Sequence, residues 1–425
     1  MVNFKKSKMI DVFINMFIIV FTFLIIFTPP IPFVSFNVLH IIGLVSWIII
    51  LVNIRKINTF IRTRNFISLV MAIIGLFIYL TVIKVMNNKP ILNELSQFYW
   101  LLDIIPFAVV LSMYYSRKKG TKIPFLLLLL LIGTIQSLFS LFAYINSDFK
   151  KALVDNMIKY GYGDVLNDLS SHRLFGFGSN LTYTMPIIQV VLALLAIYLG
   201  MNKNKKYYLF FPLLLFSSII NARTPIIIVG FGLILIILNS RKPIINLTIL
   251  SITSIISVFI LNIMINFFKI NHIQNIEWII DGFYEIYDFM FLGKTDGFFF
   301  SYFVDPSTYR LPEGINLLFG IGTRSLGSDG IGVFSDIGFI NDIWLGGFVY
   351  VIISYSLVGY GMLKIYVYYK HNNENNHAFF MLLMFMSIFI ANFKGVILYT
   401  NELTTICLVT YVMLFITRLE KRVSI

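Results

Sequence analysis

One cysteine, Cys407, and five histidines are all that 425 residues offer in thiol and imidazole chemistry. A lone thiol excludes a disulfide framework and a cysteine-based metal cluster. Among His40, His172, His272, His371 and His377 no HxxxH occurs and HxxE only once, at His371 and Glu374, so a histidine metal centre is not expected, and no cofactor is expected either. Charge is scarce as well. Only 12% of residues are Asp, Glu, Lys or Arg, against 58% hydrophobic, and the mean hydropathy is +0.85. A water-soluble globule of that composition would carry more apolar surface than it could bury. Low-complexity tracts and internal repeats are absent too.

What is abundant is apolar sequence in runs of bilayer length. A hydrocarbon core of roughly 30 Å is crossed by about 20 helical residues, and backbone in lipid must satisfy its own hydrogen bonds, so the runs predict helices. The windows give an all-α polytopic membrane protein with about twelve transmembrane helices. Their approximate spans are 10–27, 38–53, 66–86, 98–115, 123–145, 180–200, 207–221, 224–239, 244–266, 344–364, 376–393 and 396–416. The first run begins with Lys5, Lys6 and Lys8 as a signal peptide would, but it is too long and ends in Pro29-Pro30 without an A-x-A site. It reads as a retained first helix, and residues 1–425 as a single integral membrane domain.

Basic residues orient the chain. Most of the 33 Lys and Arg fall in alternate short connections, among them Arg55, Lys56, Arg62 and Arg64, then Arg117 to Lys122, then Lys203 to Lys206. Cytoplasmic loops hold such an excess, which predicts that both termini are cytoplasmic. The formal charge of +13 then describes an inner surface facing anionic lipid rather than a nucleic-acid site.

Two outer segments, 146–178 and 267–343, are too long to be mere connectors. Inside the second, IEWIIDGFYEIYDFMF places Glu277, Asp281, Glu285 and Asp288 on one stripe of a helix with apolar residues opposite, an amphipathic helix at the membrane interface. The stripe is either a solvated face or one that meets a polyhydroxyl or cationic ligand, which would make Glu277 and Asp281 substrate contacts.

Arginine at a bilayer edge is costly unless it snorkels or finds a partner, and its planar fork suits phosphate. Arg173, Arg223, Arg310 and Arg324 all fall on the outer side. In INARTPIIIVG, Thr224 reads as a helix cap and Pro225 as the first helical residue, which fixes Arg223 at the positive end of a helix dipole. Two outcomes stay open for it: anion binding, or pairing with an outer carboxylate. Arg173, in SHRLFGFGSN, precedes a span that Ser179 or Asn180 can cap, while Arg310 and Arg324 lie in the long loop, where solvated arginines are common. FGIGTRSLGSDGIG has enough glycine for a phosphate nest but lacks Walker A spacing. SDIGFINDIWLGGF sets Asp336 and Asp342 just before a span, where they either cap the helix, pair with arginine or do chemistry.

The layout, with RLFGFGSN before one span, ARTPIII opening another and FGIG followed by SDIGFINDIWLGG leading into a third, resembles the Wzy-type polysaccharide polymerases of the O-antigen polymerase and ligase group. Ligases of that group typically have a histidine where the late loop re-enters the membrane. SDIGFIND stands there instead, which favours a polymerase.

The resemblance implies a glycosyltransferase-C-like membrane fold in a bacterial plasma membrane and an undecaprenyl pyrophosphate-linked oligosaccharide as partner. It further implies transfer of the growing chain to the non-reducing end of a new unit, with inversion. A chain-length regulator is left open as a further partner.

Negative charge develops on a departing diphosphate, so cations must meet it, and arginines can do so without a metal. The first outer loop, TPPIPFVSFN, has no acidic residue, in contrast to metal-dependent relatives of that fold, so metal independence is expected. Asp336 is then the expected base, with Arg173 and Arg223 as the catalytic cations, and Arg310, Arg324 and Asp342 at the substrate. A flippase or secondary transporter of the lipid-linked sugar is the alternative reading, and a structural scaffold a third.

Overall fold

A computed structural model describes residues 2–29, 37–55, 57, 63–91, 96–117, 121–158, 176–178, 184–239, 248, 281–282, 284–285, 287–289, 291–295, 304–324, 335–398 and 401–423. Among them every regular element is helical and no strand occurs. Among the described residues seven helices are long and apolar enough to cross a membrane, and three shorter apolar helices accompany them.

The elements are α1 (Val2–Phe27), α2 (Val38–Val52), α3 (Arg64–Met86) and α4, which runs from Ser96–Tyr99 through a π turn, Trp100–Ile104, into Ile105–Ser116. Next come α5 (Phe125–Ile145), α6 (Ser147–Met157), α7 (Thr184–Asn202), α8 (Phe211–Asn221) and α9 (Thr224–Leu238). The late part holds the short α10 (Ile315–Phe319), then α11 (Gly338–His371), α12 (Asn375–Asn392) and α13 (Glu402–Val423).

Eleven of the twelve expected windows overlap described helices, but only seven of these helices have the length and hydropathy of a span. The span expected at 244–266 lies outside the described residues, as do most of 146–178 beyond α6 and much of 267–343. Positions 281–282, 284–285, 287–289 and 291–292 are helical, as the acidic stripe predicted.

The packing reverses the soluble rule. Met9, Phe13, Met16 and Val20 of α1, spaced as one helix face, are exposed, and Leu44, Trp47, Ile48 and Leu51 of α2 are too. Those faces suit lipid. The centre is α7, buried along nearly its whole length against α5, α8, α9, α12 and α13. A helix apolar on every side, as TMPIIQVVLALLAIYLG is, has no polar face to present and belongs in the middle.

Two helices are broken, and each break has a local cause. Pro106 supplies no N–H, so the carbonyl of Leu102 four residues earlier loses its helical partner. The chain opens into the π turn, and the Trp47 indole N–H donates to that carbonyl at 2.9 Å. In α11 the break is at Gly347, with φ 69° and ψ −176°, a conformation open only to glycine. A Cβ there would also collide with the carbonyl of Leu318.

Candidate functional site

The break at Gly347 is what builds the site. It releases carbonyls from the α11 ladder, and the chain before α11 comes in to meet them. Ile321 N–H donates to Trp344 O at 2.8 Å and Gly322 N–H to Leu345 O at 3.0 Å. The Tyr79 hydroxyl donates to Gly346 O at 2.7 Å. Irregular backbone is tolerated inside a membrane bundle only when it is satisfied in this way. The pairing carries residues 320–324 into the bundle, and Arg324 with them.

Arg324 is 7% exposed, not solvated as its place in the loop predicted, and Asp342 is 0% exposed. Arg324 Nη2 reaches Asp342 Oδ1 at 3.4 Å and the carbonyl of Leu398 at 3.4 Å. The other oxygen, Asp342 Oδ2, accepts from the Tyr355 hydroxyl at 2.8 Å. Asn392 Nδ2 donates to the Tyr355 hydroxyl, and Asn392 Oδ1 accepts from Ile397 N–H at 3.4 Å. A charge taken out of water needs this kind of company, because an unpaired one would cost several kcal/mol. The network ties the loop before α11, the body of α11 and the turn between α12 and α13.

Asp336 lies at the rim of the same place. It pairs with Lys394 at 3.4 Å, and their side chains are 33% and 21% exposed. Gly338 brings the start of α11 against that turn, where a Cβ would collide with Asn392 and with Gly395 O. Neither aspartate caps α11: the cap position is Ile337, without a side-chain cap, and the Ser335 hydroxyl accepts from the Ile337 amide at 3.2 Å. Lys84, 0% exposed at the end of α3, packs beneath Gly322 and donates to Pro90 O at 3.3 Å.

Arg223 resolves its two alternatives in favour of a carboxylate. Its Nη1 stands 2.9 Å from Glu285 Oε2, with side chains 14% and 18% exposed. The residue at the α9 cap position is Arg223 itself rather than Thr224, with Pro225 in the first turn. The amphipathic segment therefore lies over Arg223. Asp281 is exposed on the same segment. Arg310 is exposed, and its carbonyl, not its guanidinium, does the local work by accepting from Trp344 Nε1 at 3.0 Å. Arg173 and Glu277 lie outside the described residues.

Sequence reasoning overlooked Lys394, Tyr355, Asn392 and Lys84. Polar residues within apolar runs were the available signal, and the Gly346-Gly347 pair was the signal for the break. It also overlooked a pair in the early helices: His40 Nδ1 lies 2.9 Å from Asp103 Oδ2, with Asp103 3% exposed on the π turn and the Tyr99 ring stacked on the imidazole at 5.4 Å. Glu402, 0% exposed, accepts from Thr184 at 2.7 Å. The spans are thus richer in buried ionisable groups than their composition suggested. Among the described residues, no group of three or more His, Cys, Asp or Glu could hold a metal ion.

No protein-family model, curated protein or solved structure matches this chain.

Proposed function

We propose that the protein is an integral membrane glycosyltransferase of the Wzy polymerase kind. In this reading it stands in a bacterial plasma membrane with both termini cytoplasmic and carries its site at the outer face. It joins undecaprenyl pyrophosphate-linked oligosaccharide units into cell-surface polysaccharide, with inversion at the donor sugar. The observation that carries the reading is the buried Arg324, held by Asp342 and the Leu398 carbonyl beside the rim pair Asp336 and Lys394.

The chemistry asks for two things at one locus. A departing diphosphate needs fixed cations, and a hydroxyl attacking the anomeric carbon needs a proton acceptor. Arg324 and Lys394 supply the first. Asp336, a third exposed at the rim, supplies the second. Asp342, fully buried and hydrogen-bonded on both oxygens, holds Arg324 in place rather than acting as a base. Arg223 then serves through the acidic segment it binds, and Arg173 remains the third cation of the proposal.

Transport of the lipid-linked unit is a second reading, and a specific observation favours it. The helix broken at Gly347 and the buried Lys84, Asp103 and Glu402 are features that transporters place near their substrate paths. One experiment separates the two. Purified protein in proteoliposomes is given lipid-linked repeat units, and products are resolved by gel. A ladder of increasing length is the expected result; movement of intact units across the bilayer with no ladder would select the transporter.

A further inference from the structure

Helix α6 and the helical segment at 281–292 are both amphipathic, yet they turn opposite sides to their surroundings. α6 buries Leu153, Val154 and Met157 and exposes Asp148, Lys151 and Asp155, as a helix does when it packs by its apolar side and meets water with the other. Asn146 caps it by accepting from the Phe149 amide at 2.9 Å. The later segment does the reverse.

Its contact side is Gly282, which is buried and would, with a Cβ, collide with Arg223 Cδ at 2.8 Å and Nε at 2.9 Å. Glu285, three residues on, holds the Arg223 guanidinium. Tyr284, Tyr287 and Phe291, spaced i, i+3 and i+7, stand opposite Gly282 in helical register, and they are 65%, 53% and 69% exposed. The Tyr287 and Phe291 rings lie 5.0 Å apart, so the stripe is continuous. Asp281 and Asp288 flank it, and Asp288 pairs with Lys294 at 3.5 Å. A carboxylate turned inward and aromatic rings turned outward would be the wrong way round for a helix lying in water, and a contiguous exposed apolar patch marks a contact surface.

The place of the segment says what it meets. It is joined to Arg223, immediately before α9, and α9 exposes Phe231, Ile234 and Leu238 along one face, which suits lipid as the exposed faces of α1 and α2 do. Arg223 marks the level at which that face reaches the polar boundary of the bilayer. Hydroxyl-tipped and plain aromatic rings side by side are the chemistry of that boundary. At about 150–250 Å² each, three aromatic side chains fall short of the roughly 800 Å² per partner that a stable protein interface buries. We propose that Tyr284, Tyr287 and Phe291 dock into the leaflet beside the start of α9, between headgroups and hydrocarbon. The segment is then held by Arg223 on one side and by phospholipid on the other, while α6 stays in water. The inference rests on the membrane placement alone and stands whether the protein polymerises or transports.

Spin labels read this directly in protein reconstituted into dioleoylphosphatidylcholine nanodiscs. With Cys407→Ser removing the chain's only thiol, single labels are introduced through Tyr284→Cys, Tyr287→Cys and Phe291→Cys, and for comparison through Asp281→Cys and Lys151→Cys. Collision with oxygen, which concentrates in lipid, should exceed collision with a water-soluble nickel chelate at the three aromatic positions and fall below it at the two comparison positions. Nickel access at the aromatic positions equal to that at the comparison positions would overturn the proposal, as would shielding from both reagents, the mark of a protein cover. Wild type supplies a second measurement that no substitution can disturb. An apolar diazirine dissolved in dioleoylphosphatidylcholine vesicles should label residues 281–295 and leave 147–157 unlabelled. No label on 281–295, or none beyond that on 147–157, would also overturn it.

Discussion

Arg324 and Arg223 each stand at the edge of an apolar run, and each has found a carboxylate, but their surroundings differ. Asp342 is fully buried, hydrogen-bonded on both oxygens and part of a network that reaches Asn392 through Tyr355. Glu285 is 18% exposed and comes from a separate segment that lies over the start of α9. The first pair is reached only because α11 breaks at Gly347 and draws residues 320–324 inward; the second joins the start of α9 to a separate helical segment. The same need, a partner for a cation near lipid, is thus met once by folding the backbone around the pair and once by laying a helix across it. A pair of the first kind is part of the architecture, whereas one of the second kind can open without disturbing the bundle.

The sharpest way to break that contrast is at Asp342. Asp342→Ala leaves Arg324 buried without its counter-ion, and removing one member of such a pair costs about 3–5 kcal/mol. Unfolding followed by SDS titration should show a loss of that size; a loss under about 1 kcal/mol would put Arg324 in contact with water. Gly347→Ala comes next. It forces a side chain into backbone strain of about 1–3 kcal/mol and against Leu318 O, so the same titration should show a clear loss, together with weaker Ile321 and Gly322 amide protection in hydrogen exchange. Unaltered protection would mean that the loop is held elsewhere. Glu285→Gln is the smallest. A partly exposed pair contributes about 0–1 kcal/mol, so stability should barely move, while protease cutting near residues 281–295 should quicken as the segment lifts. A loss as large as that of Asp342→Ala would erase the distinction.

The contrast also separates what the sequence made legible from what it did not. Hydrophobic run length located the helices, because the bilayer imposes it. The edge-charge rule singled out Arg223, Arg324, Asp336 and Asp342, and the acidic stripe located the segment that carries Glu285. The partner of each arginine was beyond reach, since Asp342 and Glu285 are equally acidic on paper and only the tertiary path decides between them. Tyr355, Asn392 and Lys394 sit in runs whose apolar residues dominate any window, so their polarity was averaged away. The Gly346-Gly347 pair hinted at a break, but the burial of Arg324 follows from backbone hydrogen bonds to Trp344 and Leu345 that no residue pattern encodes.

The most direct test of the central claim compares two single variants, Arg324→Gln and Arg223→Gln, in the lipid-linked polymerisation assay, each first shown by circular dichroism and size-exclusion chromatography to be folded. If Arg324 meets the departing diphosphate, its variant makes no ladder while Arg223→Gln still extends chains at a reduced rate. A ladder of wild-type length and rate from Arg324→Gln would contradict the account.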